Sequence, residues 1–202
     1  MNDSKEHIIL IASRLFLQRN FKEVTMKEIV EKTGLSKGAF YHYFDSKEQL
    51  FLEVLEYFFQ CMQRNYESYS KESFYQYYND YINETINLTQ KYLDKFSDEL
   101  SEASFTMNYF SLIFDALKLY PEFREKLIVT FNQEIDYWVK AIGQARERGE
   151  ISTPMTDKEI AEMFMYLSDG VGMHMIMRGA DIENMVKPFH VLWDRLYEQI
   201  KA

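Results

Sequence analysis

The stretch FKEVTMKEIVEKTGLSKGAFYHYFDSKEQL, Phe21 to Leu50, constrains the fold more than any other part of the chain. Thr25 stands before an apolar-periodic run containing Ile29 and Val30, and Glu28 follows three residues later, the spacing of a capping box. Gly34 supplies a residue that can turn left-handed and end that helix, and Ser36 can cap the next one. The second helix, expected over residues 36–44, is too short to be stable alone and must be held by packing. Ala39, Phe40 and Phe44 are its expected buried positions, with Phe40 purely core. Lys37, Gly38, Tyr41, His42 and Tyr43 are left to face something else. Two short helices around a tight turn, with donors on the outer face of the second, suit the major groove of DNA.

Residues 8 to 52 resemble the DNA-binding domain of the TetR (tetracycline-repressor) family of bacterial transcription regulators. The resemblance rests on Ile8, Ala12, Leu15, Phe16 and Phe21, then on Thr25, Ile29 and Val30. It continues through Gly34-Leu35-Ser36-Lys37-Gly38, Phe40-Tyr41-Tyr43-Phe44 and Ser46-Lys47-Glu48-Leu50. Beyond it, only Arg148-Gly149-Glu150-Ile151 echoes the family faintly. The resemblance implies an all-α chain of about nine helices. A DNA-binding domain over 1–47 would precede an effector-binding and dimerisation domain over 48–202.

It also implies the DNA-contacting positions: Thr25, Met26 and Lys27 on the first helix of the pair, Ser36, Lys37, Gly38, Ala39, Tyr41, His42 and Tyr43 on the second, and Lys47 beyond. Lys37 and Gly38 would meet a phosphate at a helix N-terminus, and Lys47 would clamp another at the next. Tyr41, His42 and Tyr43 would offer donors and ring faces to phosphates and base edges.

Charge agrees with this division. The net charge is −9, which disfavours non-specific nucleic-acid binding by the whole molecule. Residues 1–50 are net +1, so the acid lies in residues 51–202, net −10. Seven Gly and three Pro among many Leu, Glu, Lys and Met favour helices. The single Cys61 permits no internal disulfide and fits a reducing, cytoplasmic setting, and its plain reading is a small buried apolar residue. The apolar run at Ile8–Ala12 is too short for an export signal, and no stretch approaches the ~20 apolar residues that cross a bilayer.

Later helices are expected near 73–95, 100–118 and 121–148, with Pro121 opening and Gly149 closing the last. Thr156 with Glu159 caps another reaching Arg178, and a final helix follows Asp181, kinked or delayed at Pro188. The helix that begins at Asp45 or Ser46 is expected to run to about Ser68, roughly 35 Å, as a lever from the DNA into the second domain.

Aromatic residues make up 16% of the chain and there are eleven Met, which suits either a packed bundle or an adaptable pocket for a hydrophobic small molecule. By resemblance and helical phase, Phe59, Met62, Phe105, Tyr109, Phe114, Tyr137, Trp138, Met165 and His174 are candidate lining residues. Glu31, Glu134 and Asp169 have no recognisable partners and are expected to be solvated. Two apolar stripes, containing Phe164, Leu167 and Val171 and then Phe189, Trp193 and Leu196, suggest a homodimer through the last two helices. The histidines lack metal-ligand spacing and no nucleophile–base pair is evident, so neither a cofactor nor an enzyme is expected. The favoured reading is a repressor released from an inverted-repeat operator by a hydrophobic effector. The rivals are a helical small-molecule-binding protein without DNA binding, and an enzyme using the aromatic pocket.

Overall fold

A computed structural model describes residues 3–99, 102–179 and 182–202, without the side chains at 97–99, 102–109, 182, 183 and 185. Among the described residues it is all-helical: α1 (Asp3–Gln18), α2 (Met26–Thr33), α3 (Lys37–Tyr41), α4 (Lys47–Cys61), α5 (Phe74–Leu93), α6 (Glu102–Leu119), α7 (Pro121–Glu147), α8 (Asp157–Met177) and α9 (Ile182–Ile200). The α9 helix runs through Pro188 from a start six residues before it, so the proline does not delay the helix. None of the described helices is long and apolar enough to cross a membrane.

The chain divides into two compact units that do not follow a boundary at residue 47. Met1–Gln63 with Leu88–Pro121 form one, and Arg64–Asn87 with Glu122–Ala202 form the other. The cause is packing: α1 lies against α4 and α6, so residues 48–63 and 88–121 share the first unit's core.

In the first unit, Ile8, Ala12, Phe16, Phe40, Leu50, Phe51 and Val54 are buried together with Phe21. Phe16, Phe21 and Phe51 make mutual ring contacts at 4.7 to 5.8 Å, an arrangement that fixes the exit of α1 against the start of α4. The α4 helix ends at Cys61 instead of near Ser68. Its 15 residues correspond to about 22 Å and lie in the first unit, so the expected lever into the second does not form. The physical reason is local: past Met62 the apolar spacing lapses, and the next residues are held by side chains from elsewhere. Glu84 accepts the Asn65 N–H at 3.2 Å, and Arg64 donates to Thr85 at 3.0 Å.

In the second unit, Phe74, Tyr78, Trp138, Phe164 and Trp193 are almost wholly buried and meet edge to face. Thr156 and Glu159 form a complete capping box at the start of α8. Gly149 closes α7 at φ 77°, a left-handed backbone that a side chain would strain. Behind it Glu150 reaches back to the first turn of α5, accepting the N–H of Phe74 at 2.7 Å and of Tyr75 at 3.2 Å. Ile151 is buried and bridges to Lys201, so the Arg148–Ile151 segment is a structural knot.

Candidate functional site

Local chemistry builds the first candidate site. Thr25, Ser36 and Ser46 each place a hydroxyl before a helix and accept the N–H three residues on, from Glu28, Ala39 and Gln49. Gly34 turns at φ 66° between α2 and α3. Phe40 is fully buried and Phe44 nearly so, and these two rings pin a five-residue helix that could not persist alone. With the rings inward, Ser36, Lys37, Gly38, Ala39, Tyr41 and His42 are exposed on the other side. Ala39, expected to be buried, is therefore on the outward face, while Phe40 and Phe44 point inward. On α2, Thr25 and Lys27 are exposed and Met26 is half-buried. Glu31 is solvated as expected and faces Lys27 at 3.8 Å. Tyr43 is half-buried, its ring edge against His42.

Lys47 is placed differently from a free phosphate clamp. Its ammonium donates to the carbonyls of Phe21 at 2.9 Å and Val24 at 2.8 Å, and sits 4.3 Å from the centre of the Phe21 ring. Two of its three donors tie α4 to the loop before α2, which leaves one for a phosphate. Phe21 is also held from the other side, because its N–H donates to Asp115 of α6 at 3.1 Å. The sequence offers no pattern that pairs residue 115 with residue 21.

The expected ligand-lining residues do not form one described cavity. Phe59 and Met62 are half-buried and Phe114 is exposed, all in the first unit. Phe105 and Tyr109 lie on α6 with side chains outside the described ones. In the second unit Trp138 is 0% and Met165 8% exposed, so both are core, and His174 is exposed. Tyr137 does line a groove, together with Tyr66, Tyr69, Phe74 and Tyr77, of about 520 Å³ including the solvent at its open mouth.

Glu134 is not solvated, contrary to expectation. It accepts the hydroxyls of Tyr66 at 2.7 Å and Tyr81 at 2.9 Å and lies 3.7 Å from the Arg64 guanidinium. Burial, reinforced by the Glu134 charge, pushes the Tyr66 phenol well above its ordinary range, so it remains a donor at neutral pH. The sequence signal was present only as an i, i+4 carboxylate on the inner side of α7, four residues before Trp138.

Two residues of the expected dimer stripes, Phe164 and Trp193, are core instead. Trp193 donates its indole N–H to the Phe164 carbonyl at 3.1 Å, and both residues are 0% exposed within one chain. No surface of either remains for a partner. Leu167, Phe189 and Leu196 are half-buried against the same core, and Val171 is half-buried. Among the described residues, the large exposed apolar side chains of α8 and α9 are Met163, Tyr166, Met177, Val191 and Leu192. Helical phase alone could not tell the two faces apart, because both are apolar. Among the described residues, no group of three or more His, Cys, Asp or Glu is placed to hold a metal ion.

Comparison with known proteins fits this geometry. Residues 8–54 match the profile of bacterial regulatory proteins, tetR family. An HTH-type transcriptional regulator of Bacillus subtilis, YerO, is 48% identical over 58 residues, which are 29% of this chain and 20% of the relative. The HTH-type transcriptional repressor NemR of Escherichia coli is 38% identical over 55 residues, 27% of this chain and 28% of the relative. These matches therefore span less than a third of the curated relatives. A TetR transcriptional regulator from Chloroflexus aurantiacus shares the fold across 99% of this chain and 97% of its own, with a TM-score of 0.66 at 18% identity. Residues 8–54 therefore carry a DNA-binding domain of the kind found in bacterial regulatory proteins of the tetR family.

Proposed function

We propose that the chain is a ligand-responsive transcriptional regulator that binds a double-stranded operator as a homodimer and represses until a small molecule releases it. The observation that carries this reading is the outward face of α3, where Lys37, Gly38, Tyr41 and His42 are exposed above the buried Phe40 and Phe44. A short helix fixed by two rings presents its donors rigidly, as a reading head in a major groove requires. Relatives named as repressors support the direction of the response.

Dimerisation is assigned to the exposed side of α8 and α9. Tyr166, Met177 and Val191 are more than half exposed there, an apolar surface of the kind that a symmetric partner covers. Two-fold symmetry then calls for two half-sites on one face of the duplex, about one helical turn or a multiple apart. The effector belongs to the second unit, with Tyr137 as an exposed aromatic lining residue. An effector acts by binding one arrangement of the protein better than another, and it lowers operator affinity by that preference alone.

A gel shift against the DNA upstream of the chain's own coding region, repeated over a range of salt, tests the reading. Lys37→Ala should weaken binding to all sequences and reduce the slope of log affinity against log salt by about one counterion. If the parent protein binds that DNA no better than random sequence, or if Lys37→Ala binds as tightly as the parent at every salt concentration, the assigned face is wrong.

A further inference from the structure

We infer that the groove between Tyr66–Phe74 and the last half of α7 is a binding site for a small aromatic carboxylate, which deepens the effector assignment above and rests on it. Three independent properties of the groove point to that chemistry.

The first is a ring platform. Tyr66 and Tyr137 stack nearly parallel, 9° apart with centroids at 4.3 Å, and Tyr137 is 40% exposed, so the stack has an uncovered side. A further flat ring extends such a stack at little cost. The groove is open to solvent, so a flat ring can reach the uncovered side of the stack.

The second is charge. Lys71, Lys140 and Arg148 line the groove against one lining acid, Glu67, a local excess of cations on a chain of net charge −9. The two lysines already hold a carboxylate: Glu67 lies 3.1 Å from Lys71 and 3.9 Å from Lys140. Arg148 is paired with Glu150 at 3.1 Å, which leaves donors of its guanidinium for another oxygen. A ligand carboxylate among these groups would meet the same donors that Glu67 meets.

The third is an unmatched donor. Tyr77 lines the groove and is only 5% exposed, and its buried hydroxyl has no hydrogen-bond partner among the described residues. A buried hydroxyl left unpaired costs free energy that a ligand oxygen recovers. The neighbouring Tyr69 does not compete for that ligand oxygen, because its hydroxyl donates to Glu84. A neutral aromatic would use the platform but not the cations, and an aliphatic acid the reverse. Only an aromatic acid uses both together with the Tyr77 hydroxyl.

The test is calorimetric titration of the full chain with benzoate and with its para-hydroxy derivative, alongside benzyl alcohol and cyclohexanecarboxylate. The aromatic acids should bind more tightly than either control. Tyr137→Ala should weaken benzoate binding about tenfold, and Tyr77→Phe, which keeps the ring and removes only the hydroxyl, by about the same factor. Lys140→Glu should weaken it by about threefold or more, and Lys140→Arg should restore it. Absence of binding by both aromatic acids at millimolar concentration overturns the inference, as does benzyl alcohol binding equally well. Unchanged affinity in Tyr137→Ala, in a protein with a parental circular-dichroism spectrum, also overturns it. Operator binding is measured separately: DNA binding without aromatic-acid binding defeats the ligand assignment alone, and aromatic-acid binding without DNA binding defeats the regulator reading alone.

Discussion

Residues 25–47 start three successive helices, each with a hydroxyl on the preceding residue accepting an N–H three positions on. The α5 helix in the second unit begins differently. Ser73 supplies a local cap to Gln76, but the first two N–H groups go to Glu150, which also accepts the Tyr197 hydroxyl at 3.0 Å. One region is specified by neighbours in sequence, the other by partners more than seventy residues away. The difference fits the roles proposed for the two regions. A reading head needs short helices with one face kept free, and local caps define them without covering that face. A unit proposed to bind a small molecule needs walls held from several sides, and ring contacts among Phe74, Tyr78, Trp138, Phe164 and Trp193 hold the second unit in that way.

The largest effect should come from the long-range side of this contrast. Trp193→Ala should lose about 3 to 5 kcal/mol in urea unfolding, since a fully buried ring and its bond to the Phe164 carbonyl both disappear. Val191→Asp, on the exposed face of the same helix, should instead leave monomer stability nearly unchanged and abolish the dimer in sedimentation. A dimer that survives Val191→Asp would move the interface off α9.

Glu134→Ala should follow closely, at about 3 kcal/mol, because Arg64 remains in a largely covered position without its carboxylate and two tyrosine hydroxyls lose their acceptor. If unfolding shows a loss below about 1 kcal/mol, the pair is solvated and Glu134 is not part of the walls.

Within the first unit, Lys47 and Lys37 should separate. Lys47→Ala should cost about 2 kcal/mol of stability through the Phe21 and Val24 carbonyls, and weaken DNA binding besides. Lys37→Ala should change DNA binding alone. Equal stability of the two variants in thermal unfolding would return Lys47 to the role of a simple phosphate contact.

The smallest effect belongs to a cap. Ser36→Ala should cost about 1 kcal/mol, read as faster amide exchange at Ala39 and Phe40 more than as a lower global midpoint. An unchanged exchange rate there would mean that Phe40 and Phe44 hold α3 without its cap.

What the sequence by itself determined lies where the governing interactions are short-range. The caps at Thr25, Ser36 and Thr156, the left-handed Gly34 and the start of α7 at Pro121 all depend on residues within four positions of one another, and each was legible. The tetR-type domain was legible for the same reason, since its motif is local. Tertiary structure alone decided matters that depend on which of two similar faces turns inward. Phe164 and Trp193 went to the core while Tyr166 and Val191 stayed outside, although all four fit an apolar helical stripe. The same holds for polar groups whose partners are distant in the chain. Lys47 turned to the carbonyls of Phe21 and Val24, Asp115 took the Phe21 N–H, and Glu134 gathered Arg64, Tyr66 and Tyr81. A buried donor or acceptor must find a partner, and which one it finds is set by the packing of whole helices rather than by the residues beside it.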